Sequence, residues 1–159
     1  MSEQSSFSSG DSLSTSLISI VLVEDNPADA ELTIRALRRG KISNPIHHLE
    51  DGAEALDFLF CEGAYSDRAI DTPPKVILLD LKLPKVNGLE VLRRLKTDSR
   101  TQTIPVVVLT SSGQDRDVID SYELGVNSYI VKPVDFEQFS EAIRQIGCYW
   151  VLLNQTPVG

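Results

Sequence analysis

The chain has little with which to staple, chelate or span. Among 159 residues there are only 2 cysteines, 2 histidines, 1 methionine and 1 tryptophan. Cys61 and Cys148 stand in apolar, helix-like surroundings without CxxC or Cys/His spacing. That argues against a disulfide framework or thiolate metal site, and reads as two small packing residues of a reduced, cytoplasmic protein. His47 and His48 are adjacent in a short strand-like segment, where neighbours point to opposite faces and cannot share a metal; both read as ordinary strand residues. No apolar run reaches the ~18 residues of a membrane span. The amino end lacks the charged and apolar regions of a signal peptide. No GxxxxGK or GxGxxG is present to cradle a nucleotide. Basic residues are outnumbered, 15 Lys and Arg against 23 Asp and Glu, for a net charge of -8. Non-specific nucleic-acid binding needs clustered cations against phosphates, so this balance disfavours it.

What is present is one domain's worth of chain, long enough for a single core without cross-links. Serines make up half of residues 1–16, which are expected to be a disordered tail. The folded unit is expected over 17–153, with 154–159 as a closing tail. Within it, residues 75–88, KVILLDLKLPKVNG, are the stretch around which the rest is organised. Val76, Ile77, Leu78 and Leu79 suit a buried strand, yet the run ends on Asp80. Packing gives no reason for a charge there. In an open parallel sheet, however, the carboxyl ends of the strands face the ligand crevice.

The same pattern recurs along the chain. Residues 17–23 form an apolar run ended by Glu24 and Asp25, after which Asn26 as cap and Pro27 at the first helical position open a helix. That helix carries Ala30, Ile34 and Leu37 on one face and closes at Gly40. A weaker strand at 46–49 precedes a helix through Ala55, Leu56 and Leu59, and residues 63–74 read as a long exposed loop. A helix at 89–96 follows, then the strand PVVVLT, which ends at Thr110, Ser111 and Ser112. The helix near 115–124 has few apolar anchors, and thin burial implies low local stability. A fifth strand, 128–131, ends at Lys132 and Pro133. The last helix starts at Asp135, and its stripe of Phe136, Phe139, Ile143, Ile146, Trp150 and Leu153 is spaced 3, 4, 3, 4, 3. Tyr149, Val151 and Leu152 make its end apolar on further sides. The basic clusters Arg35, Arg38, Arg39, Lys41 and Arg93, Arg94, Lys96 fall at helix ends, where cations complement the dipole. Five strand–helix repeats predict an α/β doubly wound, five-stranded parallel sheet, a flavodoxin-like (βα)5 with strand order 2-1-3-4-5.

Glu24, Asp25, Asp80, Thr110 and Lys132 then gather at one rim. Three converging carboxylates without a cation would raise one another's pKa. They imply a hard divalent ion with oxygen ligands, Mg2+ being the common choice, bound beside a phosphoryl group. Lys132 offers a point charge and Thr110 a hydroxyl for phosphoryl oxygens. A carboxylate can itself be the nucleophile, giving an acyl phosphate.

Four blocks, VLVEDNP at 21–27, ILLDLKLPKVNG at 77–88, VVVLTSS at 106–112 and YIVKP at 129–133, resemble in order the signatures of response-regulator receiver domains. The resemblance implies Asp80 as phosphoacceptor, and Mg2+ on Asp25, Asp80 and the backbone carbonyl of Lys82, with Glu24 acting mainly through water. It implies Lys132 and Thr110 on the phosphoryl group, Ser111 as the small residue admitting the donor, Tyr129 as the switch aromatic and a cis peptide before Pro133. Lys82 and Ser112 fall where the family tunes dephosphorylation. Leu83 stands where Met is common in the family. The donor implied is a sensor histidine kinase. The long 63–74 loop and the carboxyl-terminal extension resemble the stand-alone regulators of bacterial phytochrome histidine kinases.

No output domain is read after the last helix, so the expected output is binding, release or phosphate transfer. The chain is not expected to be an enzyme beyond its own phosphorylation and dephosphorylation. Phosphorylation is expected to bias the helix near 115–124 with Tyr129, so that the surface read by a partner is that helix, the fifth strand and the last helix. The apolar end at Tyr149, Trp150, Leu152 and Leu153 predicts a homodimer or a partner surface. The alternatives are a phosphorelay intermediate serving a histidine phosphotransfer protein, and a binding module that is never phosphorylated. A haloacid-dehalogenase-type phosphatase needs a second acid two residues after its nucleophile, where this chain has Lys82.

Overall fold

Runs of Val, Ile and Leu without alternation become strands buried on both faces. The computed structural model describes residues 20–69, 72–111, 123–124, 126 and 128–146. Its strands are β1 (Ile20–Val23), β2 (Ile46–Leu49), β3 (Val76–Asp80), β4 (Val106–Thr110) and β5 (Ser128–Val131). All pair parallel, in the order β2-β1-β3-β4-β5. Every residue of β1, β3 and β4 is buried, which is why their sequences show no period of two.

The pleat divides these strands between two cores. Val21, Val23, Ile77, Leu79, Val106 and Val108 face Leu56, Phe58, Leu59, Leu92 and Leu95. These come from α2 (Gly52–Phe60) and α3 (Gly88–Lys96). Ile20, Leu22, Val76, Leu78, Val107 and Leu109 face Ala30, Leu37, Phe139 and Ile143, from α1 (Pro27–Arg39) and α4 (Phe136–Ile146). Burying each such aliphatic or aromatic side chain stabilises the fold by roughly 1.5–3 kcal/mol. Helices on both faces leave only the ends of the sheet open, so the rim at the strands' carboxyl ends is the accessible edge.

The helix starts follow the capping residues. Asn26, Asp51, Asn87 and Asp135 accept from Asp29 N, Glu54 N, Glu90 N and Gln138 N at 2.7–3.0 Å, satisfying N–H groups that have no partner in the helix. One local expectation, the helical setting of Cys61, is corrected, and Gly40 closes α1 as expected. Gly40 ends α1 with φ -82°, and the left-handed residue is Lys41, φ 70°. Gly40 is needed for space instead, since a Cβ there would lie 2.0 Å from the Phe136 ring of α4. Cys61 is not inside a helix. It caps α2 in the left-handed conformation, φ 58°, with Sγ 3.3 Å from an Arg68 guanidinium nitrogen.

The loop after α2 is exposed over most of its described residues, as expected, and is anchored through Tyr65 and Arg68. It opens with a 3-10 turn, Gly63–Tyr65. Tyr65 packs edge-on to Phe58 at 5.0 Å and donates to Glu54 at 2.8 Å. Arg68 lies over the same ring, 3.9 Å from its centre, and donates to the Phe58 carbonyl. His47 stacks on Phe58 at 4.4 Å. The tails, Ser112, Cys148, the extended end with Tyr149, Trp150, Leu152 and Leu153, and nearly all of the helix expected near 115–124 lie outside the described residues.

Candidate functional site

The strand register decides which polar residues meet. Val23 pairs with Leu79 on β3 and with Leu49 on β2, so the residues that follow on the two central strands, Glu24 and Asp80, emerge side by side. Thr110 pairs with Val131, which sets Lys132 beside it. The ladder continues past the strands: Glu24 N–H donates to Leu49 O at 2.9 Å and Lys132 N–H to Thr110 O at 2.7 Å. The Lys132–Pro133 peptide is cis.

Glu24 and Asp80 are buried at 1% and 5% exposure. Carboxylates in such a place need partners. Asp80 Oδ1 accepts from the Lys82 N–H at 2.9 Å, and Asp80 Oδ2 from Lys132 Nζ at 3.0 Å. Lys132 also donates to Glu24 Oε1 and Asp29 Oδ2, both at 3.0 Å. Glu24 Oε2 in turn accepts from the Asn26 N–H at 3.1 Å. One ammonium therefore serves three carboxylates with its three protons.

The charges remain unbalanced. Burial, then the charge of Asp80, push the Glu24 carboxyl up to about 7. Burial works against the Lys132 charge, but hydrogen bonds to Asp80, Glu24 and Asp29 outweigh it and hold the ammonium above the ordinary lysine range. Glu24, the exposed Asp25 and Asp80 each place a carboxylate oxygen within 4.8 Å of the others'. Oxygens on opposite sides of a Mg2+ ion lie about 4 Å apart, so this donor set fits a hard divalent cation. The elevated Glu24 carboxyl marks the same need for positive charge.

Beside Asp80 opens a cleft of about 60 Å3 lined by Asp80, Leu81, Lys82, Leu109, Thr110, Ser111 and Lys132. Thr110 is buried and Ser111 exposed at its mouth. Tyr129, three residues before Lys132 on β5, is 36% exposed. The strand ends thus bring together Glu24, Asp25, Asp80, Lys82, Thr110, Ser111 and Lys132.

Sequence reasoning misses two contributors. Asp29 reaches Lys132 from the first turn of α1, and the only hint is its spacing of one helical turn from Asp25. His48, expected to be an ordinary strand residue, places its Nε2 2.8 Å from the Glu24 carbonyl oxygen. No linear signal shows that contact between β2 and the end of β1.

Residues 20–144 match the family model described as the response regulator receiver domain. The probable methanogenesis regulatory protein FilR2 of Methanothrix harundinacea is 45% identical over 139 residues, 87% of this chain and 86% of FilR2. Response regulator Rcp1 of Synechocystis sp. is 40% identical over 132 residues, covering 83% of this chain and 88% of Rcp1. The Mn2+-bound form of Rcp1 superposes with a TM-score of 0.68 at 39% identity, over 88% of this chain and 98% of that one. The bacteriophytochrome response regulator AtBRR superposes with a TM-score of 0.79 at 52% identity, over 87% of this chain and 99% of that one. No helix among the described residues is long and apolar enough to cross a membrane.

Proposed function

Because the chain belongs to the response regulator receiver family, we propose that Asp80 accepts a phosphoryl group from a histidine kinase, with Mg2+ at Glu24, Asp25, Asp80 and the backbone carbonyl of Lys82. The observation that carries this reading is the cleft beside Asp80, where Lys132, Thr110 and Ser111 converge on the same carboxylate that borders the cation donors.

The chemistry follows from those positions. An oxygen of Asp80 forms a bond to phosphorus as the phosphorus–nitrogen bond of the donor's phosphohistidine breaks. The departing imidazole nitrogen takes its proton from solvent. Bound Mg2+ supplies positive charge that offsets the repulsion between incoming phosphoryl oxygens and the carboxylates. Lys132 binds one phosphoryl oxygen, Thr110 donates its hydroxyl to another, and Ser111 leaves room for the donor. The protein catalyses only its own phosphorylation and dephosphorylation.

The response runs through Thr110. As its hydroxyl turns to the phosphoryl group, the exposed ring of Tyr129 moves into the space behind it and the surface formed by β5 and α4 changes. That surface, together with the apolar sequence of Tyr149, Trp150, Leu152 and Leu153, is the proposed contact with a second copy or a downstream partner. The proposed kinase is a bacterial phytochrome, supported by the name of the similar AtBRR.

Acetyl phosphate and Mg2+ provide the test, read as intact mass. Wild type should gain one phosphate and Asp80→Asn none. No adduct on wild type would overturn the reading.

A further inference from the structure

Lys132 is held by three carboxylates, and only two of them belong to the group that fits a cation. Glu24 and Asp80 lie in the cluster with Asp25. Asp29 does not, yet its Oδ2 is as near to Lys132 Nζ as theirs, 3.0 Å. It reaches the ammonium from α1, a different element from the strands that bear the other two. Its place is fixed locally: Asp29 N–H donates to the Asn26 side chain at 3.0 Å, and Asp29 O accepts from Thr33 Oγ1 at 2.9 Å.

A divalent ion at Glu24 and Asp80 changes what Lys132 experiences. Those carboxylates turn their charge toward the ion, and like charge repels the ammonium. A lysine left with no other anion would swing to solvent, since its four-carbon stem is flexible. We propose that Asp29 is a positioning residue for Lys132, an anion outside the cation's donor set that keeps the ammonium beside Asp80 when Mg2+ binds, ready for the phosphoryl group. This rests on the receiver reading above. It explains why an acid stands one helical turn after Asp25, at the solvent-facing side of the site, where it is 38% exposed in its side chain.

Two measurements test it. The first needs no phosphoryl transfer: amine acetylation of the whole chain at saturating Mg2+, with label at Lys132 read by peptide mass. Wild type and Asp29→Glu should stay protected, and Asp29→Asn should label several-fold faster; equal labelling of Lys132 in wild type and Asn variant overturns the proposal. The second is a double-mutant cycle on the initial rate of phosphorylation by acetyl phosphate at saturating Mg2+. Asp29→Asn should slow wild type about tenfold, within the coupling expected for residues in contact. In a Lys132→Ala background it should change the rate less than about twofold, and Asp29→Glu should restore most of the rate. An equal slowing in both backgrounds also overturns the proposal, because Asp29 would then act on something other than Lys132. Wild type that takes no phosphate defeats the receiver reading instead, and the labelling result then decides Asp29 alone.

Discussion

Gly88 passes so close to Asp80 that a Cβ built on it would stand 2.3 Å from the Asp80 carbonyl oxygen and 2.5 Å from Leu81 Cα. Its N–H donates to Leu81 O at 2.9 Å. The turn that leads from β3 into α3 therefore folds back on the strand that carries the candidate acceptor. Both obstructing atoms are backbone, which cannot rotate aside. Gly88→Ala is expected to destabilise the fold by about 1–3 kcal/mol, the range for forced overpacking. It should also weaken Mg2+ binding, because relief requires Asp80 to move. Urea unfolding checks the first effect and calorimetric Mg2+ titration the second; an unchanged midpoint would mean that the turn yields without cost.

Glu24 predicts an unusual pH profile. Its carboxyl rises from 4.5 to about 7 on folding, through burial first and the Asp80 charge second. A group whose folded value is raised contributes stability fully below its unfolded value and loses it as pH climbs through the folded one. In divalent-free buffer, stability should accordingly fall between pH 4.5 and 7, by about 2–3 kcal/mol. Saturating Mg2+ should flatten the curve, since the cation binds the ionised form, and Glu24→Gln should flatten it without Mg2+. Thermal melts across that window, with and without chelator, supply the comparison.

His48 ties edge strand β2 to the acidic loop through its ring nitrogen and the Glu24 carbonyl, 2.8 Å apart. A carbonyl only accepts, so the nitrogen in that contact carries the proton. His48→Leu keeps the apolar body and removes the donor. Mg2+ affinity is expected to fall about tenfold, the scale found when a residue supporting metal ligands is lost. Calorimetry with Mg2+ gives the answer; wild-type affinity in the variant would show that the His48 contact lends the site no support.

The architecture is legible because parallel strands covered on both faces leave uninterrupted apolar runs, and because each run ends where the crevice begins. Asp80 after four aliphatic residues, and Lys132 after a short strand, stand out for that reason. Contacts across the rim are not legible in the same way. Asp29 and Lys132 are 103 residues apart, and nothing near either one names the other. The loop after α2 looks polar and exposed because Tyr65 and Arg68 can serve either surface or interior; only the placement of Phe58 beneath them decides. Gly40 illustrates a third case, where a residue chosen for space against Phe136 resembles one chosen for conformation.

The bond from the Lys132 N–H to the Thr110 carbonyl, 2.7 Å long, joins the backbones of the two residues proposed to meet the phosphoryl oxygens in one rung of the sheet ladder. A main-chain shift at Thr110 must either carry Lys132 with it or break a short, sheet-end hydrogen bond. Departure from the resting arrangement therefore favours a joint displacement of the β4 and β5 tips over independent side-chain adjustments. Ligand grip and outward message would then rise and fall together, leaving few half-switched molecules in the population.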